Sequence, residues 1–341
     1  MGKNDILKKC RAYNHSNDIL YYLIRKKQAD AYAVVMAPCN YLYQNDEDQF
    51  FGTCIYVSEN ILSDAMRRDF TQKRELFGIP MVKISEKTEN GKNASLDSWQ
   101  IRALPLRCRM DSVPRFSSPF FPSYTCFECE DVLDIIEPRE ARADLFRKCG
   151  EFRSFLTRLN ELFEIKPEQV GITGSAALGV DSPNDYDVIF YGSKDELRRI
   201  GRIIFEINRR NGTPKVFGMP LPFRFIFENR VVDTLFVDEN PELNNLHTAR
   251  MIRAEVPFKC CVTDDAAALQ VETFLRVDSK EFSALIIMET FFHGVIRKGN
   301  VIEGVGDLLL WEHDGKEEYV MMCREPFRQL KDYTRYFFQF N

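Results

Sequence analysis

The residues best placed to do chemistry are Asp185 and Asp187, at the head of the run Asp185-Tyr186-Asp187-Val188-Ile189-Phe190-Tyr191. Apart from its carboxylates the run is apolar and aromatic, which predicts a buried strand. Side chains alternate along a strand, so the two carboxylates share one face, about 7 Å apart, and Tyr186 points to the other. Ten residues upstream, after a short apolar strand, stands Gly174-Ser175. Gly174 lets the backbone turn sharply, and Ser175 is expected to open a helical turn whose free N–H groups suit an anion. The turn residues Asp181-Ser182-Pro183-Asn184 stop that helix. Two carboxylates beside an anion-binding turn form an arrangement that holds divalent metals for phosphoryl transfer. An Asp-x-Asp pair alone is most often a solvated turn, and a lone Gly-Ser says almost nothing; the combination carries the reading.

Those carboxylates need a scaffold, and composition bounds it. The chain has 341 residues, 45% hydrophobic and 28% charged, enough for two or three domains with a substantial core. A net charge of −5 argues against a protein that coats nucleic acid with its whole surface, while leaving room for a local basic groove. No run approaches the roughly 18 apolar residues of a membrane span, and the N-terminus reads as no secretory signal. Ten cysteines, mostly in apolar or strand-like segments, suggest reduced thiols and a cytoplasmic setting. Cys126-Phe127-Glu128-Cys129 is the sole Cys-x-x-Cys; without a second ligand pair it makes a poor zinc site.

At Val170-Gly171-Ile172-Thr173-Gly174-Ser175 and Asp185-Tyr186-Asp187-Val188-Ile189-Phe190-Tyr191-Gly192 the sequence resembles the DNA polymerase β-like nucleotidyltransferase superfamily. More narrowly it resembles the predicted archaeal nucleotidyltransferases of unassigned substrate, over about the final two thirds of the chain. The spacer before Asp185 is one residue shorter than usual, and Asn184 stands where that family generally has Ser. The resemblance implies transfer of a nucleoside monophosphate from a nucleoside triphosphate to an acceptor hydroxyl, an RNA end among the options, with Mg²⁺ or Mn²⁺. It also implies a third metal-site carboxylate on a later strand, for which Asp233 is the candidate. A different class stands beside this reading: a catalytically silent module that keeps the fold and binds nucleic acid.

The fold class expected is α+β. Residues 1–125 read as an α/β region serving as scaffold or specificity element, 126–255 as the catalytic domain with a mixed sheet, and 256–341 as a five-stranded barrel, oligonucleotide-binding-like, plus an aromatic tail. In the first region a helix is expected over Ile19 to Arg25 and another over Ser63 to Leu76. Strands are expected at Ala31 to Met36, Phe50 to Val57 and Pro80 to Ile84, with a polar loop over Glu89 to Ser95. The prolines from Pro114 to Pro122 mark a linker. Apolar positions from Arg139 to Phe163 recur at three- and four-residue intervals, predicting one long amphipathic helix. After Gly192, Ser193 or Asp195 caps a helix running to about Asn211. On it Arg198, Arg202 and Arg209 lie roughly on one face, either steering a triphosphate or polyanionic acceptor or simply solvating the helix.

Phe223 to Phe227, a Glu228-Asn229 turn and Arg230 to Val237 carry a strong hairpin signal. With a two-residue turn Phe227 pairs with Arg230, Phe225 with Val232, and Arg224 with Asp233, which puts guanidinium and carboxylate on one face. Arg224 then either meets a phosphate or neutralises Asp233. Five alternating segments from Phe258 to Met322 predict the barrel. Its aromatics Phe274, Phe291, Phe292 and Trp311 suit a core better than a base-stacking surface. The tail from Phe327 to Phe340 needs a surface to dock on, its own chain or a second copy in a homo-oligomer.

Overall fold

A computed structural model describes residues 2–13, 17–27, 30–37, 48–64, 72–87, 93–95, 125–180, 185–216, 219–220, 222–241, 249–269, 273–287, 294, 296–313 and 315–323. Two compact units divide the chain: residues 1–141 with 175–181, and residues 142–174 with 182–341. Their architecture is mixed α+β with few helices.

The first unit holds helix α1 (Lys3–Tyr13) and strands β1 (Leu20–Lys26), β2 (Ala31–Ala37), β3 (Gln49–Ser58), β4 (Lys73–Leu76), β5 (Ile79–Lys83), the small hairpin β6 (Ser85–Lys87) and β7 (Asn93–Ser95), β8 (Thr125–Glu128) and β9 (Val132–Ile136). Seven of them form an antiparallel sheet in the order β4-β5-β3-β2-β1-β9, with β8 paired to β3. The expected helix over Ile19 to Arg25 is therefore strand β1. Leu20, Tyr22 and Ile24 enter one buried cluster and Tyr21 and Leu23 another, so both faces are covered. A strand buried on both faces has a continuous apolar run, which periodicity cannot tell from a short helix. Lys73 to Leu76 likewise forms a strand, while the middle of the helix expected there, the 114–122 linker and most of the 89–95 loop lie outside the described residues. β8 and β9, read from sequence as the start of the second region, pair into this first sheet.

Across the boundary at 141/142, the helix expected from Arg139 to Phe163 is broken. Helix α2 (Pro138–Lys148) ends and α3 (Gly150–Phe163) begins around Cys149, whose backbone is extended at φ −119 and ψ 110. The Cys149 thiol accepts from the Phe152 N–H at 3.5 Å, a weak N-cap. Strand β10 (Val170–Thr173) runs into the one-turn helix α4 (Gly174–Ala177). Strand β11 (Asp185–Gly192) leads to α5 (Lys194–Asn211), which Ser193 and Glu196 close with a reciprocal capping box. After the short pair β12 (Lys215–Val216) and β13 (Met219–Pro220) come β14 (Arg224–Phe227) and β15 (Arg230–Asp238).

These strands form a mixed sheet in the order β10-β11-β15-β14, with β11 and β15 parallel and the outer pairings antiparallel. Helix α3 covers one face, where Phe155 meets Tyr186 at 4.6 Å and Phe163 meets Phe190 at 5.0 Å, and Phe223, just before β14, meets Phe236 on that face at 5.0 Å. A Cβ at Gly201 of α5 would sit 3.3 Å from Phe223, so α5 lies on that same face.

The chain closes with β16 (Arg250–Asp264), β17 (Thr273–Asp278), β18 (Ala284–Ile287), β19 (Val301–His313) and β20 (Lys316–Cys323), a closed five-stranded barrel in the order β16-β17-β18-β20-β19. The boundary read at 255/256 falls inside β16, whose early residues already pair with β19 through bulges. Phe274 and Trp311 are buried in their unit, as core aromatics rather than a stacking surface. Phe291, Phe292 and the aromatic tail lie outside the described residues. Among the described residues no helix is long and apolar enough to cross a membrane.

Candidate functional site

The face of the four-stranded sheet opposite the helices carries a polar row that crosses all four strands at one level. Thr173 of β10 pairs with Asp187 of β11, Asp187 with Asp233 of β15, and Asp233 with Arg224 of β14. Cross-strand partners share a face, so these four side chains lie on one side of the sheet, and Asp185, two residues before Asp187, lies there too.

Local chemistry sets each position. Glu228 and Asn229 have φ of 51 and 62, the pair of left-handed conformations that a two-residue hairpin turn of the primed type needs. That turn fixes the register expected from sequence: Phe227 with Arg230, Phe225 with Val232, Arg224 with Asp233. The Asn208 side chain on α5 donates to the carbonyls of Pro222 and Arg224 at 2.9 and 3.0 Å, which anchors β14 from behind. Arg224 then reaches two carboxylates, its Nη2 lying 3.2 Å from Asp185 Oδ2 and its Nε 3.3 Å from Asp233 Oδ1. All three side chains are less than a third exposed. Burial pushes the Asp233 carboxyl up to about 6, against the Arg224 charge, which pulls it down, and with the Asp185 charge, which adds to the rise.

Gly174 is a position where only glycine fits. Its φ is +64, and a Cβ there would lie 1.7 Å from Asp187 Oδ2. The Asp187 carboxylate thus occupies the space a side chain would take, which ties the Gly174 position to the Asp187 position in physical terms. Ser175 begins the segment that groups with the first unit, where Leu178 joins the cluster of Tyr21, Leu23 and Tyr56. The helix expected to open at Ser175 is a single turn, too short to carry a useful macrodipole.

Two expected phosphate contacts are not brought to this face. Arg198 and Arg202 stand on α5, on the side of the sheet opposite the carboxylates, and Arg198 is paired with Asp265. Arg297 shares Asp265 at 4.0 Å, and Arg209 pairs with Glu206 within the helix. Helical spacing put the arginines in a stripe correctly; it carried no information about which face of the sheet α5 would cover.

Sequence reasoning missed Thr173. It is 2% exposed, and its hydroxyl has no hydrogen-bond partner among the described residues. Its only sequence signal was a polar residue ending an apolar strand beside Gly174-Ser175.

As the side chains stand, with Arg224 drawing on Asp185 and Asp233, no group of three or more His, Cys, Asp or Glu among the described residues is gathered closely enough to hold a metal ion. The donor set is nonetheless the right kind for magnesium or manganese. Asp185, Asp187 and Asp233 offer hard oxygen ligands on one face, with an unsatisfied hydroxyl beside them. Of the Cys-x-x-Cys pair, Cys126 donates to Gln49, and Cys129 lies 2.7 Å from the Cys10 thiol, sulfur to sulfur.

No family model, no curated protein and no solved structure matches the chain.

Proposed function

We propose that the protein is a metal-dependent nucleotidyltransferase, moving a nucleoside monophosphate from a nucleoside triphosphate to an acceptor hydroxyl. The observation that carries this reading is the register that sets Asp187 beside Asp233 on parallel strands, with Asp185 on the same face and Arg224 next to Asp233. The motif resemblance at Gly174-Ser175 and Asp185-Tyr186-Asp187 points the same way. Asp185, Asp187 and Asp233 would hold magnesium or manganese, which when bound supplies Lewis-acid neutralisation of the phosphate charge and lowers the pKa of the acceptor hydroxyl. Arg224 turns from its carboxylates toward the triphosphate as a planar donor suited to phosphate oxygens. In the transfer a bond forms between the acceptor oxygen and the α-phosphorus, the α–β phosphoanhydride breaks, pyrophosphate leaves, and the acceptor proton passes to solvent.

One observation favours the silent alternative. Arg224 already supplies a positive charge between Asp185 and Asp233, as a protein that had dispensed with metal would require. A single experiment separates the two. Pure protein is incubated with each labelled triphosphate, Mg²⁺ and, in turn, total cellular RNA, small molecules and protein, and label transfer is followed. Transfer by the wild type, lost in a folded Asp187→Ala variant, supports the enzyme. Transfer that survives Asp187→Ala refutes the carboxylate assignment. Triphosphate binding with no transfer to any acceptor supports the silent module.

A further inference from the structure

We infer that Cys10 and Cys129 are a disulfide-forming pair, a covalent modification site that pins helix α1 to the sheet of the first unit. The two residues stand 119 positions apart, yet their sulfurs lie 2.7 Å from one another. That is closer than two unbonded sulfurs sit in ordinary contact, and a disulfide, at about 2.05 Å, needs a shift of less than an ångström. Cys10 is the buried residue of α1, and Cys129 opens the short turn Cys129–Asp131 between β8 and β9, against which α1 lies. Cys126, three residues earlier, donates to Gln49 at 3.4 Å, so the Cys-x-x-Cys spacing does not make the pair. Composition suggested reduced thiols throughout; the geometry singles out these two for oxidation.

Both sulfurs are buried in one apolar cluster with Leu20, Tyr22, Phe50 and Phe127. The hydrogen bond to Cys129, and then burial, hold the Cys10 thiol well above its ordinary range, so it carries almost no thiolate while α1 is docked. Oxidation therefore passes through a local opening in which α1 lifts from the sheet. The helix is held there by Ile6, Leu7 and Tyr13 and by the ion pairs Lys9–Glu137 and Arg11–Asp48. The oxidant is a small-molecule disulfide. The Cys10 thiolate attacks one of its sulfurs, and the first small thiolate leaves and takes up a proton. The Cys129 thiolate then attacks the Cys10 sulfur of the mixed disulfide, and the second small thiolate leaves and is protonated in turn. The two protein thiols have given up two electrons and two protons, and the small disulfide has become two thiols. With α1 docked again, the bond closes a loop of 119 residues and restricts the unfolded chain, which stabilises the first unit.

The test equilibrates the full chain with oxidised glutathione until its thiol count is constant. The protein is then unfolded, alkylated, digested and mapped by mass spectrometry, and a second portion is unfolded thermally beside the reduced protein. Peptides carrying Cys10 and Cys129 should be found joined, and the oxidised protein should unfold roughly 10–20 °C above the reduced one. Cys10→Ala should show neither the joined peptides nor the gain in Tm, and Cys129→Ala gives the same control where the first variant does not fold. Cys10 and Cys129 left unjoined, or either of them joined to Cys126 instead, overturns the inference. Joined peptides with no gain in Tm, or a gain that persists in the alanine variant, overturn it as well, because the bond would then not be the one that pins α1.

Discussion

Replacing Arg224 by methionine removes a charge and keeps the length of the side chain, and its consequence can be worked from the geometry. The guanidinium contacts two partly buried carboxylates at 3.2 and 3.3 Å. Hydrogen bonds to charged groups contribute about 1.5–3 kcal/mol each, and removing one member of a buried pair costs about 3–5 kcal/mol. Partial exposure of all three groups reduces this, giving about 2–3 kcal/mol at pH 7.5. For a unit of roughly 150–250 residues that is a fall of about 5–10 °C in Tm. The loss should shrink at pH 5, because Asp233, held at about 6, takes up a proton there and no longer needs the counter-charge. Mg²⁺ should raise the Tm of the Arg224→Met protein more than that of the wild type, since the cation no longer competes with the guanidinium. Thermal unfolding at the two pH values, with and without Mg²⁺, reads all of these. A loss below about 0.5 kcal/mol, or one of equal size at both pH values, would refute the bridging argument.

Asp233→Asn should flatten the pH dependence of stability. A carboxyl raised from 3.8 to about 6 stabilises the fold below pH 4, and that contribution is lost as pH rises through 6. The difference in slope should integrate to roughly 3 kcal/mol between pH 4 and 7, and unfolding curves of equal slope would exclude it. Gly174→Ala should destabilise by more than about 1 kcal/mol and displace the Asp187 carboxylate, through the left-handed backbone and the 1.7 Å approach together. Mn²⁺ binding and unfolding measured side by side check it, and a stable variant with normal binding would disprove the close approach. Ser193→Ala should cost about 1 kcal/mol through loss of the α5 capping box, seen in denaturant titration as a lower midpoint.

What the amino-acid sequence determined by itself was local. The two-residue turn at Glu228-Asn229 set the β14–β15 register, because a tight turn leaves its strands one way to pair. Alternation placed Asp185 and Asp187 on one face, a capping residue at Ser193 or Asp195 announced the start of α5, and turn-punctuated apolar segments marked the barrel strands. Chain continuity carries no signal for partners far apart, and there the tertiary structure decided. β15 lies parallel to β11, forty-odd residues earlier, and only that pairing brings Asp233 beside Asp187. The same non-local packing put α5 and its arginines on the far face and assigned the segment after Gly174 to the first unit. It also buried β1 on both faces, erasing the alternation that would have marked it as a strand. Thr173 belongs with these, since its place in the row exists only once four strands lie side by side.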